Sequence, residues 1–448
     1  MRKPTETTLD VVANETTEFA DVIDGTRLRP FHIGVALLCG MAVLLDGFDV
    51  LVISYVAPAL VQSLGISRAM LGPVFSAALI GTTVGALLFS PLADVRGRKP
   101  VLIACLLLFG LCTLGTATAH SVGELLAWRF VGGLGLGGCA PIAVALLSEL
   151  CPARSRATLL ILMYCGYSVG AAGGGLLAAW LLGIAGWRSV FVVGGVLPLI
   201  LAAVMLAWLP ESLSCLLRRG RQADAMRLLH RLGASHVGAI APPEQQRGLP
   251  LRLLFTDGRA PRTVLLWLMF FANILALYFM TSWLPTLVNA AGVGVRTSVV
   301  ISTTVQIGSI AGTILLAIVI ARFRVFAVLS AGFLLGAGAL LVLSHIAAAP
   351  APLAVAAFLA GFFVIGTQTA ANAASALAYP PAMRSTGVGW ALGIGRIGSF
   401  VGPAIGGALI GLEWRMSSLF LLAAVPAALA GILAAVIAGL LARDARPA

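Results

Sequence analysis

The stretch "HIGVALLCGMAVLLDGFDVLVISYVAP", residues 32–58, is an apolar run that carries two carboxylates, Asp46 and Asp49. As a helix rising 1.5 Å per residue, about 20 such residues cross the roughly 30 Å hydrocarbon core of a bilayer. Eleven further runs of this kind follow, near 69–92, 101–119, 122–148, 158–181, 187–208, 263–288, 298–320, 324–345, 351–378, 386–411 and 416–440. Twelve crossings predict an all-α membrane protein. Composition agrees, with 60% hydrophobic and 10% charged residues against roughly 45–50% and 25% in soluble domains.

The net charge of +12 does not point to nucleic acid, because the basic residues are spread through short loops. Topology accounts for them. Of 29 Lys and Arg, 23 fall on one side of the predicted spans, while Arg68, Arg188, Arg296 and Arg415 fall on the other. That asymmetry predicts both termini in the cytoplasm. The first 30 residues contain six acids and lack the charged-then-apolar layout of a cleavable signal peptide, so they are expected to form a cytoplasmic tail. Seven cysteines stand at no metal-ligand or redox spacing and are read as small apolar fillers. No metal or cofactor is expected.

The longest polar interruption divides the spans six and six. The expected organisation is a tail over 1–30, a six-helix bundle over 31–209, a cytoplasmic linker over 210–262, a second bundle over 263–440 and a tail over 441–448. In the linker, Ala225, Leu228, Leu229 and Leu232 fall at helical spacing with Arg221, Arg227 and Arg231 off the stripe, which predicts an amphipathic helix on the inner membrane face. The halves share an offset of 228 that pairs Pro152 with Pro380, Arg156 with Arg384, Thr158 with Thr386, Gly170 with Gly398, Gly174 with Gly402 and Gly183 with Gly411. Each match follows a basic loop and enters a span, as a parallel repeat should. Glycine clusters at 130–141, 165–175 and 387–407 let helix backbones approach closely, either for sliding or for static packing.

Charge at bilayer depth is costly and usually faces a cavity or a partner. Four such residues lie well inside the spans: Asp46, Asp49, Arg129 and Arg396. Asp46 and Asp49 are three apart and face the same way. An acid in an apolar site changes its hold on a proton when a neighbouring guanidinium moves or is occupied by an anion. The competing reading makes Asp49 and Arg129 a permanent ion pair. Arg396, in "GIGRIGS", has room to clamp a carboxylate in bidentate fashion, or else packs helices. Asn273, Tyr278 and Trp283, Gln306, Gln368 and Asn372 would complete a polar and aromatic cavity, with Trp283 equally suited to an interfacial belt. Asp94, in "SPLADVRGRKP" (90–100), sits at a membrane edge beside Arg96, Arg98 and Lys99, where an Asp94–Arg98 contact would gate one conformation. No nucleophile with a base, no metal cluster and no nucleotide motif argues for an enzyme.

"SPLADVRGRKP" resembles the inner-loop signature of the major facilitator superfamily, and "DGFD" is similar to the span 1 signature of its aromatic acid/proton symporter family. "RFVGGLGLGGCAPIAVALLSELCPARSRATL" (129–159), "GWRSVFVVGGVLPLILA" (186–202), "LPES" (209–212), "SWLPTL" (282–287) and "RSTGVGWALGIGRIGS" (384–399) extend the resemblance over nearly all spans. It implies two six-helix bundles rocking about a midplane site, and uptake of a benzoate-like, often hydroxylated acid with protons. It also implies that Asp46, Asp49 and Asp94 are the functional acids, with Arg129 the span 4 arginine. Ser90, Val95 and the acid-free "ARFRVF" at 321 depart from the pattern and weaken the expected inner gate. Superfamily antiporters often carry a Gly-Pro motif in span 5, and 158–182 hold no proline.

The expected protein is therefore a monomeric proton symporter of the bacterial inner membrane whose partners are an aromatic carboxylate, protons and lipid. Asp46 and Asp49 would carry protons, and Arg129, Arg396, Tyr278, Trp283, Gln306, Gln368 and Asn372 would meet substrate. Two rivals are an exporter of drugs or metabolites on the same fold and a sensor that binds aromatic acids without transport.

Overall fold

The computed structural model describes residues 23–24, 26–234, 251–256, 258–346, 349–379 and 383–444. Residues 1–22, 25 and 445–448 of the expected tails, 235–250 and 257 of the linker, and 347–348 and 380–382, with Pro380 of the expected repeat, lie outside the described residues. Twelve helices are long and apolar enough to cross a membrane, and no strand occurs among the described residues. They are span 1 (Pro30–Leu64), span 2 (Arg68–Arg96), span 3 (Arg98–Ala117), span 4 (Val122–Leu150), span 5 (Ala153–Ile184), span 6 (Gly186–Trp208), span 7 (Ala260–Ala290), span 8 (Val295–Ile320), span 9 (Val325–His345), span 10 (Pro350–Ala378), span 11 (Arg384–Gly411) and span 12 (Met416–Asp444). Most run a turn past the apolar windows, because helix ends continue beyond the hydrocarbon core with polar and charged residues.

Local chemistry sets several of these ends. Pro30 opens span 1 with its missing N–H where no intrahelical partner exists, and Gly65 closes it at φ 65°. Gly97, at φ 95°, makes the tight turn between spans 2 and 3 that a side chain would strain. Ser121 caps span 4 by accepting from the Glu124 N–H at 3.2 Å, while Glu124 accepts from the His120 N–H at 2.9 Å. Seven prolines sit inside spans, at 58, 91, 141, 198, 285, 403 and 426, tolerated where neighbouring helices cover the freed carbonyls.

Spans 1–6 and 7–12 form two bundles, and the repeat is visible in their packing. A Cβ on Gly170 would meet the Leu44 carbonyl at 1.9 Å and one on Gly174 the Phe48 ring at 2.7 Å, so span 5 lies directly on span 1. The offset partners Gly398 and Gly402 press span 11 onto span 7 at Phe271 and Leu275 in the same way. Arg156 Nε donates to the Cys151 carbonyl at 3.2 Å and Arg384 Nε to the Tyr379 carbonyl at 3.3 Å, again 228 residues apart.

The linker stripe departs from expectation. The helix Gln222–Leu232 forms, but Ala225, Leu229 and Leu232 are fully buried among Val35, Leu146, Leu150 and Leu216. Its apolar face packs under the first bundle, where burial among these aliphatic side chains removes the stripe from the surface.

The bundles meet at the end remote from the termini, here the far end. Gly72 of span 2 abuts Gly407 of span 11, where an added Cβ would come within 2.8 Å of the facing Cα. Ser76 Oγ donates to the Phe400 carbonyl at 2.7 Å. The Phe75 and Trp283 rings meet edge-on at 5.2 Å. At mid-depth, Ser168 of span 5 and Ser309 of span 8 stand 3.5 Å apart.

Candidate substrate and proton site

Span 1 carries its two acids three residues apart, and the fold treats them differently. Asp49 is 3% exposed and faces Arg129 of span 4, also 3% exposed. Arg129 Nη1 donates to both carboxylate oxygens, at 3.0 and 2.8 Å, and Nη2 donates to the Asp49 carbonyl at 3.1 Å. Thr113 of span 3 adds a third group, its hydroxyl donating to Oδ1 at 3.1 Å. This cluster lies wholly inside the first bundle and locks spans 1, 3 and 4. Arg129 Nε finds no hydrogen-bond partner among the described residues.

Asp46 looks the other way, toward the second bundle. It lies within electrostatic reach of Arg396 of span 11, yet no hydrogen bond to either side chain occurs among the described residues. Tyr164 and Tyr278 share the field of both charges. Tyr167 of span 5 and Tyr278 of span 7 face each other across the two bundles. Tyr164 is one turn nearer the terminal side than Tyr167 and is 54% exposed. The close contacts between the bundles named above lie at the far end and at mid-depth.

The other expected residues fall in three places. Gln306 of span 8 is 3% exposed and forms no hydrogen bond among the described residues. Asn273, Gln368 and Asn372 form an amide chain: Asn273 Nδ2 donates to Gln368 Oε1 at 2.8 Å, and Gln368 Nε2 donates to Asn372 Oδ1 at 3.0 Å. Asn273 also donates to the Val364 carbonyl at 3.2 Å, inside a π-helical turn, Gly361–Ile365, whose wider winding frees a backbone acceptor. The chain runs from the fully buried Asn273 to the exposed Asn372. Trp283 is fully buried, and its Nε1 donates to the Pro403 carbonyl at 3.1 Å. It stands in the far-end closure beside Phe75.

On the terminal side, Asp94 is half exposed and only 3.7 Å from Arg98. Arg98 also pairs with Glu149 of span 4 and donates to the Ala145 carbonyl at 2.8 Å. Glu149 accepts from the Ser212 hydroxyl and from the Ser214 N–H at 2.6 Å. Glu211 accepts from the Lys99 N–H at 3.1 Å. All of these contacts stay within the first bundle and its linker. Sequence reasoning singled out Asp94 and Arg98 but not Glu149 or Glu211, which stand at span ends where acids are ordinary. It also passed over Tyr164 and Tyr167, although "YCGY" repeats the three-residue spacing that drew attention to the acids.

The sequence pattern of the Major Facilitator Superfamily matches residues 39–305 and 297–447. The chain belongs to the Major Facilitator Superfamily. Within this superfamily it is 39% identical over 416 residues to the 4-hydroxybenzoate transporter PcaK of Pseudomonas aeruginosa, covering 91% of this chain and 93% of that one. It is 37% identical to a gallate transporter of Pseudomonas putida, covering 91% and 92%. The crystal structure of a D-xylose–proton symporter superposes with a TM-score of 0.71 over 90% of this chain and 97% of that one, at 18% identity. That likeness speaks to the superfamily fold alone.

Proposed function

We propose that the protein imports an aromatic carboxylic acid of the hydroxybenzoate kind together with protons, by rocking two bundles about the cleft between Asp46 and Arg396. The observation that carries this reading is an acid on one bundle within electrostatic reach of a guanidinium on the other, neither side chain hydrogen-bonded among the described residues. A planar guanidinium holds a carboxylate by two parallel hydrogen bonds. Once an anion occupies Arg396, its positive charge no longer favours ionised Asp46, and the acid accepts a proton. Gln306 and the Gln368–Asn372 amides supply donors and acceptors for ring substituents. Curated relatives named for 4-hydroxybenzoate and gallate support the substrate class.

The direction follows from energetics and charge placement. Driving a monoanion into an interior about 100 mV negative costs roughly 2.3 kcal/mol, which one accompanying proton cancels. With the basic side inward, both termini lie in the cytoplasm of a bacterial cell and the far end, where the bundles meet, faces outward. Asp94 and Arg98, already held by Glu149 in this conformation, form the first-bundle side of the inner gate against which the second bundle closes. Asp49 and Arg129 hold span 1 in place beside the site, and Trp283 belongs to the outer closure in this conformation.

The test is uptake of labelled 4-hydroxybenzoate by right-side-out vesicles under an imposed inward proton gradient. Accumulation should vanish with a protonophore and in Asp46→Asn. Accumulation that survives either treatment contradicts the reading.

A further inference from the structure

Asn273, Gln368 and Asn372 are joined by hydrogen bonds whose direction is fixed at one end. Asn273 Nδ2 donates to the Val364 carbonyl at 3.2 Å, inside the π-helical turn Gly361–Ile365. A carbonyl has no proton to give, so Asn273 must turn its nitrogen there, and its Oδ1 finds no partner among the described residues. The same nitrogen meets Gln368 at 2.8 Å, so Gln368 must offer its oxygen. Gln368 then has only Nε2 for Asn372, 3.0 Å away, and Asn372 answers with Oδ1. Asn372 Nδ2 is left over and enters no hydrogen bond among the described residues. A backbone acceptor buried in span 10 thereby makes the exposed end of the chain a donor.

Packing sets where that donor points. Beyond the π-helical turn, Gln368 faces Asn273 of span 7, and Gly366 lies against Gly312 of span 8, where an added Cβ would come within 2.9 Å of the backbone. Asn372 follows Gln368 by one turn, about 40° around toward span 8, and is exposed. Spans 7 and 8 reach the first bundle through Trp283 on Phe75 and Ser309 beside Ser168, so a side chain aimed between them faces that bundle. Arg396 approaches span 7 from another face at the same depth, since Gly395 and Gly398 lie against Ile274, Phe271 and Leu275, which bracket Asn273. Arg396 and Asn372 thus stand about one helix width apart, roughly 10 Å, the reach of one benzene ring with a hydrogen bond at each end.

We infer that Asn372 is a specificity residue that donates through Nδ2 to an oxygen substituent on the substrate ring, at the end remote from the carboxylate, and that Asn273 is a positioning residue that sets this polarity through Gln368. This inference rests on the reading that Arg396 binds the substrate carboxylate. The site then selects ring substituents that accept a hydrogen bond. A hydroxyl both accepts and donates, so it does not reveal the direction. A formyl group only accepts, and a methyl group of similar size does neither.

The experiment measures, in vesicles holding the full chain, how 4-formylbenzoate and 4-methylbenzoate inhibit uptake of labelled 4-hydroxybenzoate. With the unaltered protein the formyl acid should inhibit at about fivefold lower concentration, the typical worth of one neutral hydrogen bond. In Asn372→Leu that advantage should disappear, and in Asn372→Asp it should disappear as well, because a carboxylate has only oxygen to offer. Asn273→Leu should reduce the advantage to roughly twofold, since an unanchored chain lets the Asn372 amide turn either way. Adding Asn273→Leu to Asn372→Leu should change the ratio no further, as expected of residues that act as one unit. A merely structural role for Asn273 would weaken both inhibitors alike and leave the ratio where it was, which overturns its positioning role. Equal inhibition of the unaltered protein by the two acids, or an advantage that survives Asn372→Leu, overturns the inference as a whole. Asn372 is exposed, so its variants decide the matter even where Asn273→Leu fails to fold. Arg396→Lys, run in parallel, separates the two levels. If it cripples uptake while the ratio ignores Asn372, only the ring reading fails. If it leaves uptake intact, or if the unaltered protein takes up no 4-hydroxybenzoate, the carboxylate reading fails and the ring reading falls with it.

Discussion

Asp46 and Asp49 are equivalent by spacing and not by surroundings. Asp49 accepts two bonds from Arg129 and one from Thr113, so removing its charge leaves a buried guanidinium uncompensated, which costs on the order of 3–5 kcal/mol. Asp49→Asn should therefore lower the amount of monodisperse protein on size exclusion and its melting temperature, and Asp49→Asn with Arg129→Gln should recover part of the loss. Asp46→Asn removes no hydrogen bond among the described residues. It should leave the melting temperature unchanged, abolish gradient-driven accumulation, and keep substrate exchange between two loaded compartments, because exchange needs rocking but no net proton movement. Equal thermal losses in the two single variants would contradict this division.

At the level of helices, close backbone approach decides which surfaces can part. Gly72 and Gly407 hold spans 2 and 11 together at the far end with no side chain between them. Gly407→Val places two methyl groups where the facing backbone lies, and should hold the far end open. Labelling of Ser76→Cys by a membrane-impermeant maleimide, in a background lacking the native cysteines, should be weak in the parent and strong with Gly407→Val. The linker helix makes a second prediction. Because Leu229 is fully buried under the first bundle, Leu229→Ala should cost about 2–5 kcal/mol and lower the melting temperature in detergent by several degrees. An unshifted transition would return that stripe to the lipid surface.

At the scale of the whole molecule, charge and conformation point to one orientation. The basic residues gather on the side of the termini, and the close contacts between the bundles gather at the opposite end. A fluorescent protein fused to the C-terminus should fluoresce, and alkaline phosphatase fused there should be inactive, as expected of a cytoplasmic end. The reverse pattern would invert the transport direction proposed above.

Amphiphilicity and length are local, additive properties, which is why the twelve spans, the six-and-six division and the 228-residue repeat were legible in the residues alone. The membrane demands a long apolar run for every crossing, and no tertiary contact can override that. The four charged residues inside the spans were legible for the same reason, since burying each without purpose is costly. Their pairing was not. Whether Arg129 turns to Asp49 or to substrate depends on the rotation of span 4 against span 1, which spacing along the chain does not encode. The same holds for Trp283, whose position at a span end suits a cavity, a lipid belt or a closure, and which only packing against Phe75 and Pro403 assigns to the last. Asp46 and Arg396 stand 350 residues apart in the chain, and they come within electrostatic reach only because two separately folded bundles face each other.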